Sequence, residues 1–281
     1  MKLLRYGDES LEKWGVLDAE GNIRTLDDAL LHVTGDVLTP GWLAQLQKLD
    51  PAKLPLLKAG HRIGPPIPRP LNFVCVGLNY ADHAAETGGK IPREPILFLK
   101  SLSAFCGPHD DIIIPPGARK TDWEVELGVV ISARASRVSE AQALDYVGGY
   151  TIVNDVSERE YQTERGGTWD KGKGCDNFGP VGPWLVTKDE IPDPQNLRMF
   201  CEVDGQMMQD GTTANMIFGV KMLVSYVSQF ITLYPGDIIA TGTPAGVGMG
   251  RKPEPIYLRR GQTLRLGIEG LGEQRAKTIG G

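Results

Sequence analysis

Cysteine and histidine are both scarce in this chain of 281 residues, which contains four of each. The cysteines lie far apart in the sequence, at Cys75, Cys106, Cys175 and Cys201, and none belongs to a C-x-x-C pair. This distribution argues against a disulfide framework and against a cysteine-rich zinc site, and it predicts reduced thiols. Four histidines also argue against a histidine-rich metal site.

Long apolar runs and an excess of one charge are missing as well. No stretch approaches the length that crosses a membrane, and residues Met1–Asp8 lack the apolar core of a secretory signal. The formal net charge is −5 with acidic and basic residues well mixed, which gives no indication of nucleic acid or an anionic membrane as a partner. We therefore expect a cytoplasmic protein with neither of these partners.

Glycine and proline, in contrast, are abundant, with 35 and 20 residues, and hydrophobic residues make up 41% of the chain. This composition favours many turns, so we predict a β-rich α+β fold over a helix bundle. The proline-rich run from Gly64 to Pro70 is typical of a linker. It predicts a small N-terminal α+β domain over residues 1–65 and a catalytic domain over residues 70–281.

Two local patterns occur in the N-terminal unit. Residues 14–18 and 22–24 flank a turn at Glu20 and Gly21, which predicts a β-hairpin. Thr39 precedes Pro40, and apolar residues follow at helical spacing, which predicts a helix that begins at this proline.

The stretch from Asp122 to Ile131 alternates acidic and apolar residues at its start. If it forms one strand, Asp122, Glu124 and Glu126 share one face and apolar residues share the other, because successive side chains point to opposite faces. Two interpretations stay open. The pattern is typical of a half-buried sheet with a solvated acidic face, but a row of carboxylates also indicates that a cation lies between them.

A pair of candidate residues follows the buried strand predicted over residues 72–78. Residues 79–89 favour a helix, which two glycines end. His83 and Glu86 are three residues apart and share one side of this helix. A carboxylate beside an imidazole raises its basicity and fixes its tautomer, as a general base requires, although a surface contact would give the same pattern.

The strand predicted over residues 149–154 ends at Asp155. Together with Glu124 and Glu126, this aspartate makes a trio of oxygen ligands. Such ligands suit Mg²⁺, or Mn²⁺ as a close substitute, with coordination positions left for water or substrate. The spacing alone leaves the assignment ambiguous.

Five ordered blocks between residue 72 and about residue 250 resemble the fumarylacetoacetate hydrolase family. They are Asn79-Tyr80-x-x-His83-x-x-Glu86, Glu124-x-Glu126, Asn154-Asp155-Val156-Ser157-Glu158-Arg159-x-x-Gln162, Gly172-Lys173-Gly174-Cys175-Asp176-Asn177-Phe178-Gly179-Pro180, and Thr241-Gly242-Thr243-Pro244-x-Gly246-Val247-Gly248. The resemblance implies a mixed β-sandwich roll and a homodimer. It also implies Mg²⁺ bound by Glu124, Glu126 and Asp155, a His83–Glu86 dyad on a lid, and Lys173 as the group that polarises the substrate.

The chain departs from the usual family pattern at Cys175 and Asn177, which leaves the pocket wall near Lys173 open. Lys171 lies two residues away and is the competing assignment. We prefer Lys173 because it directly precedes the part of the block that matches.

Further candidates surround this set. Arg159 and Gln162 are three residues apart after Asp155, and an arginine with an amide donor suits a substrate carboxylate, although a surface ion pair is the alternative. Gly242 and Thr243 follow the strand predicted over residues 238–241, in a turn whose N–H groups suit an anionic oxygen. The turn lacks the pattern of a nucleotide-binding loop.

The predicted function is therefore a Mg²⁺-dependent hydrolase that cleaves a C–C bond of a 2,4-dioxo acid to pyruvate and a second acid. Residues Met1–Gly7 look similar to those of bacterial members that act on 2,4-diketo-3-deoxy-L-rhamnonate or L-fuconate. An oxaloacetate decarboxylase or a 2-hydroxyhepta-2,4-diene-1,7-dioate isomerase would use the same metal and lysine. A binding module with a structural ion is the non-catalytic alternative.

Overall fold

The computed structural model describes residues 1–27 and 38–281. The predicted N-terminal domain, residues 1–65, thus lies partly outside the described residues. Within them, no helix is long and apolar enough to cross a membrane.

Short strands dominate the described residues, as the glycine and proline content predicts. The strands are β1 (Lys2–Tyr6), β2 (Lys13–Leu17), β3 (Ile23–Thr25), β4 (Ile63–Gly64), β5 (Phe73–Gly77), β6 (Ile96–Leu99), β7 (Phe105–Cys106), β8 (Ile112–Ile114), β9 (Thr121–Asp122), β10 (Val125–Ile131), β11 (Val147–Asn154), β12 (Ser157–Glu158), β13 (Gly179–Pro180), β14 (Leu185–Thr187), β15 (Arg198–Val203), β16 (Gln206–Thr212), β17 (Ile238–Ala240), β18 (Thr263–Ile268) and β19 (Gly272–Gly280). The α-helices are α1 (Pro40–Leu46), α2 (Ala81–Thr87), α3 (Arg159–Thr163), α4 (Asp170–Lys173) and α5 (Val220–Phe230). Single 3₁₀ turns lie at Pro51–Lys53, Lys188–Glu190, Thr213–Asn215 and Gly248–Gly250, and a longer 3₁₀ helix lies at Glu140–Tyr146.

A ten-stranded mixed sheet carries most of the predicted site. Its order is β3-β2-β1-β14-β11-β10-β17-β5-β6, with β4 paired to β1. The central strand β10 is antiparallel to β11, with Val125 opposite Asn154, and antiparallel to β17, with Gly128 opposite Ala240. Strand β5 is parallel to β17. The ends of β10, β11, β17 and β5 therefore meet in one region of the sheet.

The prediction of one continuous strand from Asp122 to Ile131 is wrong. The chain leaves the ladder at Trp123 and Glu124, so β9 pairs with β12 while β10 joins the large sheet. Of the two open interpretations, the solvated acidic face is wrong, because Asp122, Glu124 and Glu126 are all buried. Glu126 is 1% exposed and Asp122 is fully buried.

Two apolar layers explain this burial. On one side, a five-stranded sheet in the order β16-β15-β18-β19-β8 and helix α5 pack against residues such as Val125 and Leu127 of β10. On the other side, Leu43 and Leu46 of α1 belong to a second cluster that includes Val130. Strand β10 therefore lies between two cores, and Glu126, its one acidic residue, is buried.

The N-terminal residues extend the large sheet. Strands β2 and β3 form the predicted hairpin, with Leu17 opposite Ile23. Strand β1 pairs with β14, so Leu3 lies opposite Leu185. These strands share one sheet with the rest of the chain, and the division into domains at residues 65–70 stays a prediction. Helix α1 begins at Pro40 after Thr39, as predicted.

Candidate active site

Three carboxylates meet where β10 begins and β11 ends. The N–H of Asp155 donates to the carbonyl of Glu124 at 2.9 Å, which extends the pairing of the two strands by one residue. Glu126 follows two residues later on β10. One carboxylate oxygen of each of the three residues lies within 4.8 Å of the others, and all three side chains are buried. The fold thus brings together the trio that the sequence predicts.

Two buried lysines bind these carboxylates. Lys173 Nζ lies 2.7 Å from Glu124 Oε2 and 2.7 Å from Asp155 Oδ2. Lys100 Nζ donates to Asp155 Oδ1 at 2.5 Å and to the carbonyl of Val156 at 3.1 Å. Burial disfavours the charged form of Lys173, but Asp155 and Glu124 outweigh it and raise the pKa of this ammonium group. Lys173 is therefore charged in this site.

Arg159 links the trio to a fourth acid. Its Nε lies 2.9 Å from Asp122 Oδ2, and a terminal nitrogen lies 2.6 Å from Glu124 Oε1. The other terminal nitrogen donates to Gln162 Oε1 at 3.0 Å. Burial would raise the pKa of Glu124, but Arg159 and Lys173 outweigh it and hold this pKa well below its ordinary value. The alternative of a surface ion pair for Arg159 is wrong, because the residue is 3% exposed.

Glu126 is the least compensated of these acids. Four buried carboxylates, Asp122, Glu124, Glu126 and Asp155, face three buried cations, which leaves one formal negative charge. Among the described residues, Glu126 forms no ion pair and accepts a single hydrogen bond, at 2.8 Å from the N–H of Gly242. Burial, Asp155 and Glu124 all raise its pKa well above the ordinary range. Glu126 completes an all-oxygen set with Glu124 and Asp155, and such a set fits a hard divalent cation.

His83 and Glu86 lie on helix α2, on one wall of the site. Their closest atoms, His83 Nδ1 and Glu86 Oε2, are 3.7 Å apart, which is longer than a hydrogen bond. Glu86 instead accepts the N–H of Gly246 at 2.9 and 3.1 Å with its two oxygens. His83 Nδ1 is buried and has no hydrogen-bond partner among the described residues. The two side chains are adjacent, and the loop after β17 positions the carboxylate.

The turn at Gly242 and Thr243 forms hydrogen bonds that position strand β10. Gly242 donates to Glu126, and its positive φ of 93° allows the backbone to pass Asn79 closely. Thr243 Oγ1 donates to the carbonyl of Val125 and accepts from Gln209 Nε2, each at 2.8 Å. Both residues line the cavity, these two groups hold β10, and the binding of an anion by the turn stays a prediction.

Lys171 and Lys173 occupy different environments although they are two residues apart. Lys171 is exposed and donates to the carbonyl of Arg165, whereas Lys173 is 2% exposed and lines the cavity. The two residues that depart from the family pattern lie outside the cavity lining. Cys175 contacts the carbonyl of Lys171, and Asn177 donates to the carbonyl of Asp111.

A cavity of about 120 Å³ unites the site. The predicted residues that line it are His83, Glu124, Glu126, Asp155, Arg159, Gln162, Lys173, Gly242 and Thr243, whereas Glu86 is next to His83 and is not among the lining residues. Sequence analysis missed the role of Lys100, of Asp122 as a partner of Arg159, and of Phe98 and Trp169 in the lining. The position of Lys100, directly after the apolar strand β6, is the one signal that could have indicated a buried lysine.

Comparisons with known proteins agree with this architecture. Residues 72–279 match the family described as fumarylacetoacetate hydrolase, C-terminal. A Burkholderia cenocepacia protein that is named as a hydrolase is 59% identical over 278 residues, which cover 99% of both chains. The solved 2-hydroxyhepta-2,4-diene-1,7-dioate isomerase of Mycobacterium marinum is 32% identical, with a TM-score of 0.77, and covers 100% of this chain and 98% of its own.

A maleylpyruvate hydrolase of Sphingobium sp. SYK-6, solved with manganese(II) and pyruvate, is 28% identical over 100% of both chains, with a TM-score of 0.81. The matched region contains every candidate site residue, and these likenesses support an enzyme of hydrolase type. The predicted family and the β-rich α+β fold are confirmed: the chain belongs to the fumarylacetoacetate hydrolase family.

Proposed function

We propose that this protein is a metal-dependent hydrolase that cleaves the C–C bond of an acylpyruvate, a 2,4-dioxo acid, to pyruvate and a second acid. The observation that carries the proposal is one cavity that joins three buried carboxylates to His83 and Lys173. A structural ion would need neither of these residues. The manganese and pyruvate in the Sphingobium hydrolase support the same chemistry.

Glu124, Glu126 and Asp155 are the residues that would hold Mg²⁺, with Mn²⁺ as a substitute. When bound, a divalent cation would supply Lewis-acid stabilisation to the enolate form of pyruvate. The position of Glu126 supports this assignment, because this buried carboxylate has no ion-pair partner among the described residues and its charged form is costly there without a cation.

His83 is proposed as the general base. Its Nδ1 faces Glu86, which leaves Nε2 to accept a proton from water in the cavity. The water oxygen then bonds to C4 of the substrate, and the bond between C3 and C4 breaks. Its electron pair passes to the pyruvate fragment as an enolate, and a proton returned to C3 completes pyruvate. The acyl fragment leaves as a carboxylic acid.

The charged side chains around the cavity position and stabilise the substrate. Lys173 uses two of its three N–H donors on Glu124 and Asp155, so one donor is left for a developing negative charge. The amide nitrogen of Gln162 has no partner among the described residues, since its oxygen accepts from Arg159. These groups would orient the substrate carboxylate.

A second candidate is isomerisation of a 2-hydroxyhepta-2,4-diene-1,7-dioate, which the likeness to the Mycobacterium marinum isomerase favours. Decarboxylation of oxaloacetate would proceed through the same enolate. Neither reaction needs water to attack C4, so the products separate the three.

The test uses protein stripped with a chelator and then supplied with Mg²⁺ or Mn²⁺. Offered a panel of 2,4-dioxo acids, including 2,4-diketo-3-deoxy-L-rhamnonate and L-fuconate, it should release pyruvate without carbon dioxide. His83→Ala should remove turnover and leave folding intact. Release of carbon dioxide from oxaloacetate at comparable efficiency, or full activity without metal, would contradict the proposal. Sedimentation would test the homodimer that the family resemblance implies.

A further inference from the structure

Beyond Lys173, the cavity wall changes from charged to aromatic. Lys173 Nζ lies 5.0 Å from the centroid of the Phe98 ring. Phe98 in turn meets Trp169 edge to face, with ring centroids 5.3 Å apart and planes at 64°. Both rings line the cavity, together with Val76, Leu78 and Met249. The second ring therefore lies one contact further from the carboxylates than the first, and the cavity has an ionic end and an apolar end.

Gly77 allows the indole of Trp169 to take this position. A Cβ at residue 77 would lie 2.4 Å from Cζ3 and 2.7 Å from Cη2 of Trp169. The indole thus rests directly on the backbone at the end of β5. Because Gly77 does not have a positive φ, alanine is permitted there by the backbone, and only the indole would have to move.

The threonine hydroxyls and the cationic side chains of the cavity lining already have partners within the protein. Thr87 Oγ1 donates to the carbonyl of His83 at 2.8 Å, and Thr163 Oγ1 donates to the carbonyl of Arg159 at 2.8 Å. Among the described lining residues, the cationic side chains are those of Arg159 and Lys173. Both form ion pairs with the buried carboxylates. Among the described residues, the apolar end of the cavity therefore offers no unpaired cation to a second substrate carboxylate.

We infer that the acyl part of the substrate is uncharged and ends in apolar atoms, packed against Trp169 and Phe98. This inference rests on the proposed function, because it names the group attached to the pyruvate unit. A second carboxylate, as in maleylpyruvate or a heptadienedioate, would be buried against two rings without a cation, which is costly. Among the sugar-derived acids, a terminal methyl, as in 6-deoxy compounds, fits this end better than a terminal hydroxymethyl group.

Turnover tests the inference with pairs of 2,4-dioxo acids of equal length that end in either a methyl group or a carboxylate. We expect kcat/KM to favour the methyl-ended member by at least about tenfold, because the carboxylate loses its hydration without gaining a partner. Trp169→Arg should shrink or reverse this ratio. Gly77→Ala, which displaces the indole without altering an ionic group, should raise KM for the methyl-ended substrates. A wild-type preference for the diacid would overturn the inference and leave the proposed function standing.

Binding gives a readout that does not depend on turnover. 2-Oxohexanoate and 2-oxoadipate differ only in their terminal group, and neither carries the 4-oxo group that hydrolysis needs. In the presence of Mg²⁺, calorimetry should show at least about tenfold tighter binding of the monoacid. The difference should fall in Trp169→Leu but persist in Trp184→Leu, since Trp184 is not among the cavity-lining residues.

The two experiments separate the possible failures. If the monoacid binds more tightly but no 2,4-dioxo acid releases pyruvate, the proposed function fails and the apolar end remains. Equal or tighter binding of 2-oxoadipate would overturn the inference whatever the turnover.

Discussion

Lys171 and Lys173 form a natural comparison at the scale of single residues. Lys173 bridges Glu124 and Asp155, whereas Lys171 is exposed. Lys173→Met should lower kcat by at least about 100-fold, because it removes a cation aimed at developing negative charge. Lys171→Met should leave kcat unchanged. Pyruvate release measured for both variants, with circular dichroism as a check on folding, tests the assignment. Similar losses in the two variants would contradict it.

Lys100 differs from Lys173 because it is not among the residues that line the cavity. Asp155 is the one carboxylate to which Lys100 donates among the described residues, and its other acceptor is the carbonyl of Val156. In the metal-free protein, Lys100→Met should lower the free energy of unfolding by about 3 kcal/mol, because a buried carboxylate loses one of two ammonium partners. Urea unfolding measures the change. Lys171→Met is the control and should stay within about 0.5 kcal/mol of the wild type. An equally small effect of Lys100→Met would show that the pair is not structural.

At the scale of elements, helix α2 depends on the loop around the 3₁₀ turn at Gly248–Gly250. A Cβ at Gly250 would lie 2.4 Å from Glu86 Cδ, so Gly250→Ala would push this carboxylate away from the N–H of Gly246. Since a flexible side chain can yield, we expect a stability change below about 1 kcal/mol but a fall in kcat of about tenfold. Gly41→Ala, at an open position of α1, is the matched control and should change neither. Unaltered turnover in Gly250→Ala would show that the activity of His83 does not depend on the position of the Glu86 carboxylate.

The same contact predicts a pH dependence. Burial opposes the charge on Glu86, but His83, the N–H of Gly246 and Arg251 outweigh it and hold its pKa below the ordinary value of 4.5. A carboxylate with a lowered native pKa stabilises the fold above its unfolded pKa, and this contribution is lost as the pH falls through the native pKa. The difference in unfolding free energy between the wild type and Glu86→Gln should thus be constant from pH 7 to about pH 5 and shrink below about pH 4.5. A difference that grows on acidification would contradict this sign.

Local patterns predicted individual elements well, because turns and caps depend on neighbouring residues. The hairpin of β2 and β3 follows from the turn at Glu20 and Gly21, and the start of α1 follows from Pro40, since Thr39 forms no side-chain cap hydrogen bond. The break between β9 and β10 could not be predicted in this way. It depends on the pairing of Asp122 with Ser157 and of Val125 with Asn154, and both partners lie about 30 residues further along the chain. Alternation alone cannot reveal which distant strand a residue meets.

At the scale of the whole molecule, the same limit applies to the environment of the acidic residues. Residues 122–126 have the pattern of a half-exposed strand in isolation, but in the fold all of them are buried, and Trp123 and Val125 belong to the larger apolar core. The five ordered sequence blocks could predict which side chains lie together in the site, including Glu124, Glu126 and Asp155. They could not predict that Lys100 and Trp169 would complete the site, because neither residue belongs to a recognisable spacing. Packing between the two sheets supplies that information.

Metal binding should be visible in the stability of the entire protein. The three carboxylates lie in or directly beside the central strands β10 and β11, and the unfolded chain does not hold them together. Mg²⁺ at 100 times its Kd should add about 2.7 kcal/mol to the free energy of unfolding and raise Tm by about 5 °C. Calorimetry of chelator-treated protein, with and without added Mg²⁺, measures the shift. Asp155→Asn and Glu126→Gln should abolish it, whereas Glu94→Gln, at an exposed carboxylate, should keep it. A shift of equal size in all three variants would place the ion elsewhere.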